Sequence, residues 1–113
     1  MKQQKPTAIG FAPNLIPLID QGTKTFTYRF GDKYEPLEAG DKVRIYNSET
    51  DETLGTAEIV NKSHVPFKDL PIDREGHEKY TSKEEQRSTF RQYYKKDIDD
   101  DESMLVLEFK LLK

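Results

Sequence analysis

The chain has 113 residues, of which 34% are hydrophobic and 35% are charged, and its formal net charge is −3. This length suits one domain with a modest core, so we expect a single domain over residues 1–113. The absence of cysteine excludes disulfides, cysteine-bound zinc and thiol nucleophiles. The negative net charge gives no general attraction to nucleic acid, so an RNA or nucleotide site would have to be a local basic patch.

The sequence carries no signal for export or membrane insertion. Its first 13 residues lack the apolar segment of a signal peptide, and no apolar run approaches the ~20 residues that a membrane span requires. Six phenylalanines and six tyrosines argue against a disordered chain. We therefore expect a folded, soluble, cytoplasmic protein that does not associate with membranes.

The first half of the chain combines short strand patterns with one short helix. Residues 7–13 have the composition of a buried strand. Apolar side chains within residues 14–22 fall on one helical face, with Asn14 as the predicted N-cap and Gly22 just after the helix. Further strands are predicted at 24–30, 42–49 and 53–65, the last with a bulge near Gly55.

The second half contains a longer helix and a strongly apolar strand. Residues 66–73 predict a single helical turn, and residues 80–96 predict a helix that begins with a capping box of Ser82 and Glu85. Its predicted packing face consists of Phe90, Tyr93 and Tyr94. The strand at 104–112 is apolar enough to be central in the sheet. The fold class is therefore α+β, with a small, mostly antiparallel β-barrel and flanking helices.

The order of these elements resembles the ASCH domain of the PUA-like superfamily. A G-x-K-x-x-x-x-R signature is present as Gly22, Lys24 and Arg29, and an Ala-Gly-Asp segment follows at 39–41. The resemblance extends over roughly residues 9–112. Within this family the chain is most similar to the small bacterial N(4)-acetylcytidine amidohydrolases.

That resemblance implies a function and three catalytic residues. The expected reaction is removal of the acyl group from the exocyclic amine of N(4)-acetylcytidine and related nucleosides, which gives cytidine and a carboxylate. The matching residues are Lys24, Thr27 and Glu78, with Glu75 and Glu84 as alternatives to Glu78 because the preceding loop aligns ambiguously. No metal site and no organic cofactor are implied. The substrate would be a nucleoside, free or within RNA, and the protein a monomer or weak dimer.

The three residue types suit amide hydrolysis. A threonine hydroxyl needs an adjacent base, and Lys24 can be that base if burial or the nearby Arg29 lowers its pKa. Glu78 can activate water or protonate the leaving amine. In a regular strand, however, Lys24 and Thr27 would point to opposite faces. They can converge only if Lys24 lies in the preceding turn or a bulge intervenes.

The remaining site candidates each have two interpretations. Arg29 could bind a phosphate or carbonyl group of the substrate, although a salt bridge to Asp41 is slightly favoured. Phe26 and Tyr28 could stack on a pyrimidine, but Phe26 is favoured as a core residue. His77 precedes Glu78 and could line the pocket. All four are retained as candidate substrate-binding residues.

One basic row supports an alternative function. Lys83, Arg87, Arg91 and Lys95 are spaced four residues apart on the predicted helix. A noncatalytic ASCH module could bind RNA or nucleotides with such a row. A solvated helix face is the favoured interpretation. The acidic segment 97–102 is likewise interpreted as a solvated loop, because it lacks the glycine of a calcium-binding loop.

Overall fold

The computed structural model describes residues 5–112, which form five strands and two helices. The strands are β1 (Ala8–Phe11), β2 (Phe26–Arg29), β3 (Lys42–Asn47), β4 (Thr53–Pro66) and β5 (Ser103–Leu112). The helices are α1 (Ile16–Asp20) and α2 (Lys83–Tyr94), and short 3-10 turns occupy Pro13–Leu15 and Phe67–Asp69. Within this described part of the chain, no helix is long and apolar enough to cross a membrane.

The strands form one curled sheet in the order β1-β3-β4-β5-β2. Only the pairing of β1 with β3 is parallel, and the other three pairings are antiparallel. The two edge strands, β1 and β2, approach each other across an open seam, where Arg29 Nη2 donates to the Gly10 carbonyl over 3.0 Å. The predicted α+β fold is confirmed, and the mostly antiparallel barrel takes the form of a half-barrel.

Strand β5 is central because it packs on both faces. Leu105, Leu107 and Phe109 face the barrel interior and join its hydrophobic cluster. Met104 and Val106 point the other way, into a second cluster that contains Phe67 and Phe90. Both faces of the strand are therefore buried, which explains why its sequence is almost continuously apolar. The prediction of a central strand at 104–112 is confirmed.

The first helix begins later than the sequence predicts. Asn14 lies in the 3-10 turn Pro13–Leu15, and α1 begins at Ile16 with Leu15 as its N-cap. The prediction that Asn14 is the N-cap of one longer helix is therefore wrong. The separate prolines at 13 and 17 each occupy the first positions of a helical segment, where a missing N–H is tolerated. Gly22 follows the helix with a φ of +81°, as predicted for its C-terminal turn.

The second helix begins at the predicted cap. Ser82 Oγ accepts from the Glu85 N–H over 3.1 Å, which confirms Ser82 as the N-cap. The Glu85 carboxylate does not return to Ser82 and instead accepts from the Thr81 N–H over 3.1 Å. On the packing face Phe90 is buried, but Tyr93 is 59% exposed, so its predicted place in the core is wrong.

Candidate active site

A cavity of about 340 Å³ opens at the seam between β1 and β2 and extends towards α2. This volume lies within the range of small-molecule pockets. Lys24, Thr27 and Glu78 all line it, together with Arg29 and Tyr28. The residues expected to catalyse the reaction are therefore in one place, although they come from separate parts of the chain.

The backbone before β2 explains how Lys24 and Thr27 reach the same cavity. Strand β2 begins at Phe26, so Lys24 precedes it. The alternation of side chains between the two faces of a strand therefore does not apply to Lys24. The N–H groups of Thr25 and Phe26 both donate to the Gly76 carbonyl, over 2.7 and 3.0 Å. The predicted strand at 24–30 is too long by two residues at its start, and the shorter strand removes the geometric conflict.

Lys24 is a buried cation with a close carboxylate partner. Its side chain is 3% exposed, and its Nζ donates to Glu78 Oε2 over 2.5 Å and to the Phe26 carbonyl over 2.8 Å. Burial lowers the pKa of Lys24, although the Glu78 charge opposes this effect, and the nearby Arg29 charge lowers it slightly more. The environment therefore weakens the hold of Lys24 on its proton.

Glu78 is the carboxylate that faces this lysine. Burial alone would raise the pKa of Glu78, but the charge and hydrogen bond of Lys24 reverse that effect, so the net shift is downward. The alternatives lie elsewhere: Glu75 is exposed and pairs with Lys79 over 2.8 Å, and Glu84 is exposed in the first turn of α2. Neither of them lines the cavity.

Thr27 is buried, and its hydroxyl is oriented by an arginine. The residue is 4% exposed and lies opposite Leu107 in the β2–β5 pairing, on the barrel side of the sheet. Arg29 Nε donates to Thr27 Oγ1 over 2.8 Å. This bond leaves the Thr27 hydroxyl proton available to a base and would stabilise negative charge on the oxygen.

Arg29 does not form the salt bridge that the sequence favoured. Asp41 pairs with Lys5 at 2.9 Å instead. The Arg29 guanidinium lies between two aromatic rings, 4.9 Å from the Phe11 centroid and 5.0 Å from the Tyr34 centroid. Arg29 thus faces the cavity and bridges the open seam through its bond to Gly10. The interpretation as a partner of Asp41 is wrong.

The proposed stacking residues have other partners. The Tyr28 ring lies parallel to the His77 imidazole, with centroids 3.9 Å apart and an angle of 8° between the planes. Phe26 is covered by the Arg74 guanidinium, 4.8 Å from its ring centroid, and does not line the cavity. The sequence-based role of Phe26 as a stacking platform in this cavity is therefore wrong, and one face of Tyr28 is already occupied.

His77 is held as a neutral imidazole. Its Nδ1 lies 3.0 Å from the Glu78 carbonyl, which can only accept, so Nδ1 carries the hydrogen. Burial, reinforced by the Lys24 charge, lowers the pKa of His77 to about 4. The Tyr28 hydroxyl beside it is buried and is the one buried side-chain N or O atom of residues 5–112 without a hydrogen-bond partner.

The basic row of α2 is not a free surface. Lys83 Nζ donates to the Phe67 and Leu70 carbonyls, and Arg87 Nη1 donates to the Ile98 carbonyl over 2.6 Å. The acidic segment supplies the other partners, because Asp100 accepts from Arg87 and Asp97 accepts from Arg91. Arg91, Lys95 and most of the acidic side chains are nevertheless solvent-exposed, so the solvated acidic loop and, for the second half of the row, the solvated helix face are confirmed.

Sequence reasoning missed several residues of the cavity. Lys33 and Tyr34 come from the loop after β2. Tyr80 lines the opposite side, where burial raises its pKa. Tyr34 and Tyr80 lie in loops, so neither strand nor helix periodicity marked them. Gly76 was also missed, although its carbonyl fixes the start of β2.

Comparison with known proteins identifies the fold. No protein-family model matches the sequence, and no curated protein sequence matches it. Among solved structures, protein EF3133 from Enterococcus faecalis V583 superposes with a TM-score of 0.73 at 17% identity, covering 99% of this chain and 83% of that one.

Two structures described as ASCH proteins are also similar. The ASCH domain from Lactobacillus crispatus JV V101 has a TM-score of 0.67 at 16% identity and covers 94% of this chain and 80% of that one. The ASCH protein from Zymomonas mobilis has a TM-score of 0.64 at 20% identity and covers 96% of this chain and 68% of that one. The architecture extends over nearly the whole chain in each comparison. The chain therefore has the fold of ASCH domains.

Proposed function

We propose that this protein is a metal-independent amidohydrolase that removes the acyl group from N(4)-acetylcytidine and related N(4)-acylated cytosine nucleosides. The observation that carries the proposal is the convergence of Lys24, Thr27 and Glu78 on one cavity, with a 2.5 Å contact between the lysine and the glutamate. An amide of an exocyclic amine needs a nucleophile, a base and a proton donor for the leaving group. These side chains can supply all three.

The lysine–glutamate pair can prepare both the base and the acid. In the resting site Lys24 carries the proton and Glu78 is ionised. Transfer of that proton along the 2.5 Å contact would give a neutral amine and a neutral carboxylic acid. Burial favours such a pair because neither group is then charged. The neutral Lys24 amine can accept the hydroxyl proton of Thr27.

The first half of the reaction transfers the acyl group to Thr27. Its Oγ1 attacks the acyl carbon and its proton passes to Lys24, while Arg29 is close enough to Thr27 to stabilise the negative charge of the tetrahedral intermediate. The C–N bond then breaks, and Glu78 donates its proton to the exocyclic nitrogen. Cytidine leaves, and the acyl group remains as an ester of Thr27.

The second half of the reaction releases the carboxylate. Glu78, now ionised, accepts a proton from a water molecule that attacks the ester carbon. The ester bond breaks, and the Thr27 oxygen regains a proton from Lys24. The net reaction consumes one water and yields cytidine and a carboxylic acid, which ionises to the carboxylate and releases one proton.

An ultraviolet assay tests this proposal, because loss of the acyl group changes the absorbance of cytosine. The wild type should hydrolyse N(4)-acetylcytidine, and Thr27→Ala should lose at least about 10³-fold in kcat. Thr25→Ala is the matched control, since this neighbouring threonine does not line the cavity. Lys24→Arg should also be inactive, because a guanidinium stays protonated and cannot act as the base. Absence of turnover by the wild type would refute the proposal.

The alternative, a noncatalytic module that binds RNA through α2, has less support. Arg87 and Arg91 bind the acidic segment 97–102, so their charges are partly compensated. RNA binding through this row would have to displace those contacts. Salt-dependent RNA affinity in a wild type without hydrolase activity would favour this alternative.

A further inference from the structure

The charges of the cavity differ in sign from the charge of the whole chain. Three basic side chains line the cavity, Lys24, Arg29 and Lys33, against one carboxylate, Glu78. Lys24 and Glu78 form a salt bridge with each other. His77 adds no charge at neutral pH because its pKa is lowered to about 4. Arg29 and Lys33 thus make the cavity positive in a chain whose net charge is −3.

Within residues 5–112, the hydrogen bonds and ring contacts of these two cations are with uncharged groups. Arg29 Nε and Nη2 donate to the Thr27 hydroxyl and the Gly10 carbonyl. Lys33 Nζ lies 5.3 Å from the Tyr34 ring centroid, and the Arg29 guanidinium lies 5.0 Å from the same centroid. The salt bridges formed within residues 5–112 use other basic side chains.

Arg29 and Lys33 both lie beside the Tyr34 ring, 5.0 and 5.3 Å from its centroid, and neither forms a salt bridge within residues 5–112. A partly buried guanidinium is normally paired with an anion, because burial without a partner costs free energy. Arg29 is half-buried, and its Nη1 has no protein partner among the described residues. Lys33 is exposed at the rim of the cavity, where it can reach a group that projects outwards.

We propose that the positive charge of Arg29 and Lys33 selects a substrate with a phosphate on the ribose and that Lys33 binds this phosphate at the rim, so that the preferred substrate is an N(4)-acylated cytidine monophosphate. This inference rests on the proposed function and specifies its substrate class. A phosphate monoester carries about −1.5 to −2 charges at pH 7, which matches the two uncompensated cations. The acylated base would lie at Lys24, Thr27 and Glu78, and the phosphate would lie towards the rim at Lys33.

Calorimetry with cytidine and with its 5′- and 3′-monophosphates tests the subsite without any need for turnover. At low ionic strength, at least one monophosphate should bind at least about fivefold more tightly than cytidine. Lys33→Glu should abolish this advantage and leave cytidine affinity within about twofold of the wild type. Lys42→Glu makes the same charge change at an exposed position outside the cavity and should keep the advantage. Equal affinities for cytidine and both monophosphates would overturn the proposal.

Hydrolysis assays separate this inference from the proposed function. If the wild type hydrolyses N(4)-acetylcytidine but has no higher kcat/KM for its monophosphates, the phosphate subsite is wrong and the activity stands. If it hydrolyses none of these compounds yet binds a cytidine monophosphate more tightly than cytidine, the phosphate subsite is supported and the proposed hydrolase activity is wrong. Tighter binding of a cytidine-containing oligoribonucleotide than of either monophosphate would overturn the assignment to mononucleotides.

Discussion

At the scale of single residues, the distinctive feature is a lysine that is 3% exposed and touches a carboxylate. The resemblance to ASCH amidohydrolases pointed to Lys24, Thr27 and Glu78. Their convergence could not be inferred from the sequence, because it depends on two backbone hydrogen bonds to Gly76 that no periodic pattern indicates. Only the path of the loop shows that Glu78, and neither Glu75 nor Glu84, faces the cavity.

The Tyr28 hydroxyl leads to a prediction about stability and activity. Its hydroxyl is buried without a partner, so Tyr28→Phe should leave the free energy of unfolding unchanged or raise it by up to about 1 kcal/mol. Because the hydroxyl is not accessible from the cavity, KM and kcat should both change little. Chemical denaturation and steady-state kinetics measure the two effects.

Tyr94→Phe is the matched control for Tyr28→Phe. The Tyr94 hydroxyl accepts from the Phe30 N–H over 3.1 Å, so its loss should cost about 1 kcal/mol of stability. A Tyr28→Phe variant destabilised as much as Tyr94→Phe would show that the Tyr28 hydroxyl has a partner in the folded protein.

At the scale of elements, the loop between the 3-10 turn Phe67–Asp69 and α2 determines where Glu78 lies. Gly76 has a φ of +91°, and a Cβ at this position would lie 2.3 Å from Thr25 Oγ1. Gly76→Ala should therefore displace the loop and reduce hydrolysis by on the order of 10²-fold, because small misplacements of catalytic groups are costly. Steady-state kinetics would measure the loss.

Gly31→Ala separates backbone strain from steric displacement of the loop as causes of this loss of activity. Gly31 has a similar φ of +92°, but nothing lies within 4 Å of a Cβ at that position. Gly31→Ala should therefore lose about 1 kcal/mol of stability through backbone strain, as Gly76→Ala does. It should not lose activity. Equal activity in the two variants would mean that a side chain at position 76 does not displace Glu78.

The contacts of α2 predict that its two arginines contribute unequally to the stability of the protein. Arg87 binds the Ile98 carbonyl over 2.6 Å and lies 4.8 Å from the Phe67 centroid, so Arg87→Ala should cost about 1–3 kcal/mol of stability. Arg91 has a more exposed side chain and pairs with Asp97, so Arg91→Ala should cost no more than about 1 kcal/mol. Urea denaturation of both variants checks the order. A larger loss for Arg91→Ala would contradict these assignments.

At the scale of the whole molecule, the half-barrel was predictable and its open seam was not. The central position of β5 follows from its apolar sequence, and the capped helix α2 from its start signal. Nothing local indicates that β1 and β2 face each other without joining, because that geometry results from the accumulated curl of five strands. The cavity lies at this seam, so its far wall, including Lys33 and Tyr34, was not predictable from the sequence.

The global stability should depend on pH through His77. The pKa of His77 is lowered from 6.5 to about 4, so the unfolded chain binds this proton more readily than the folded protein does. The stabilising contribution is complete above pH 6.5 and is lost as the pH falls towards 4. The free energy of unfolding should therefore decrease over this range, by up to about 1.4 kcal/mol per pH unit.

Urea denaturation between pH 7 and pH 4.5 measures this dependence. His77→Gln should flatten the decrease, whereas His64→Gln, at the surface beside Glu35, should retain it. The lowered pKa of Glu78 adds its own loss of stability only below its ordinary value of 4.5. An unchanged decrease in His77→Gln would assign the effect to another group.

The most direct test of the active site compares the wild type with Thr27→Ala on N(4)-acetylcytidine, with both products followed by proton NMR. We expect the wild type to form cytidine and acetate in equal amounts, and the variant to form neither above the rate of the uncatalysed reaction while it remains folded. Formation of cytidine at the same rate by both proteins, or by neither, would contradict the assignment of Lys24, Thr27 and Glu78 as an amide-hydrolysing site.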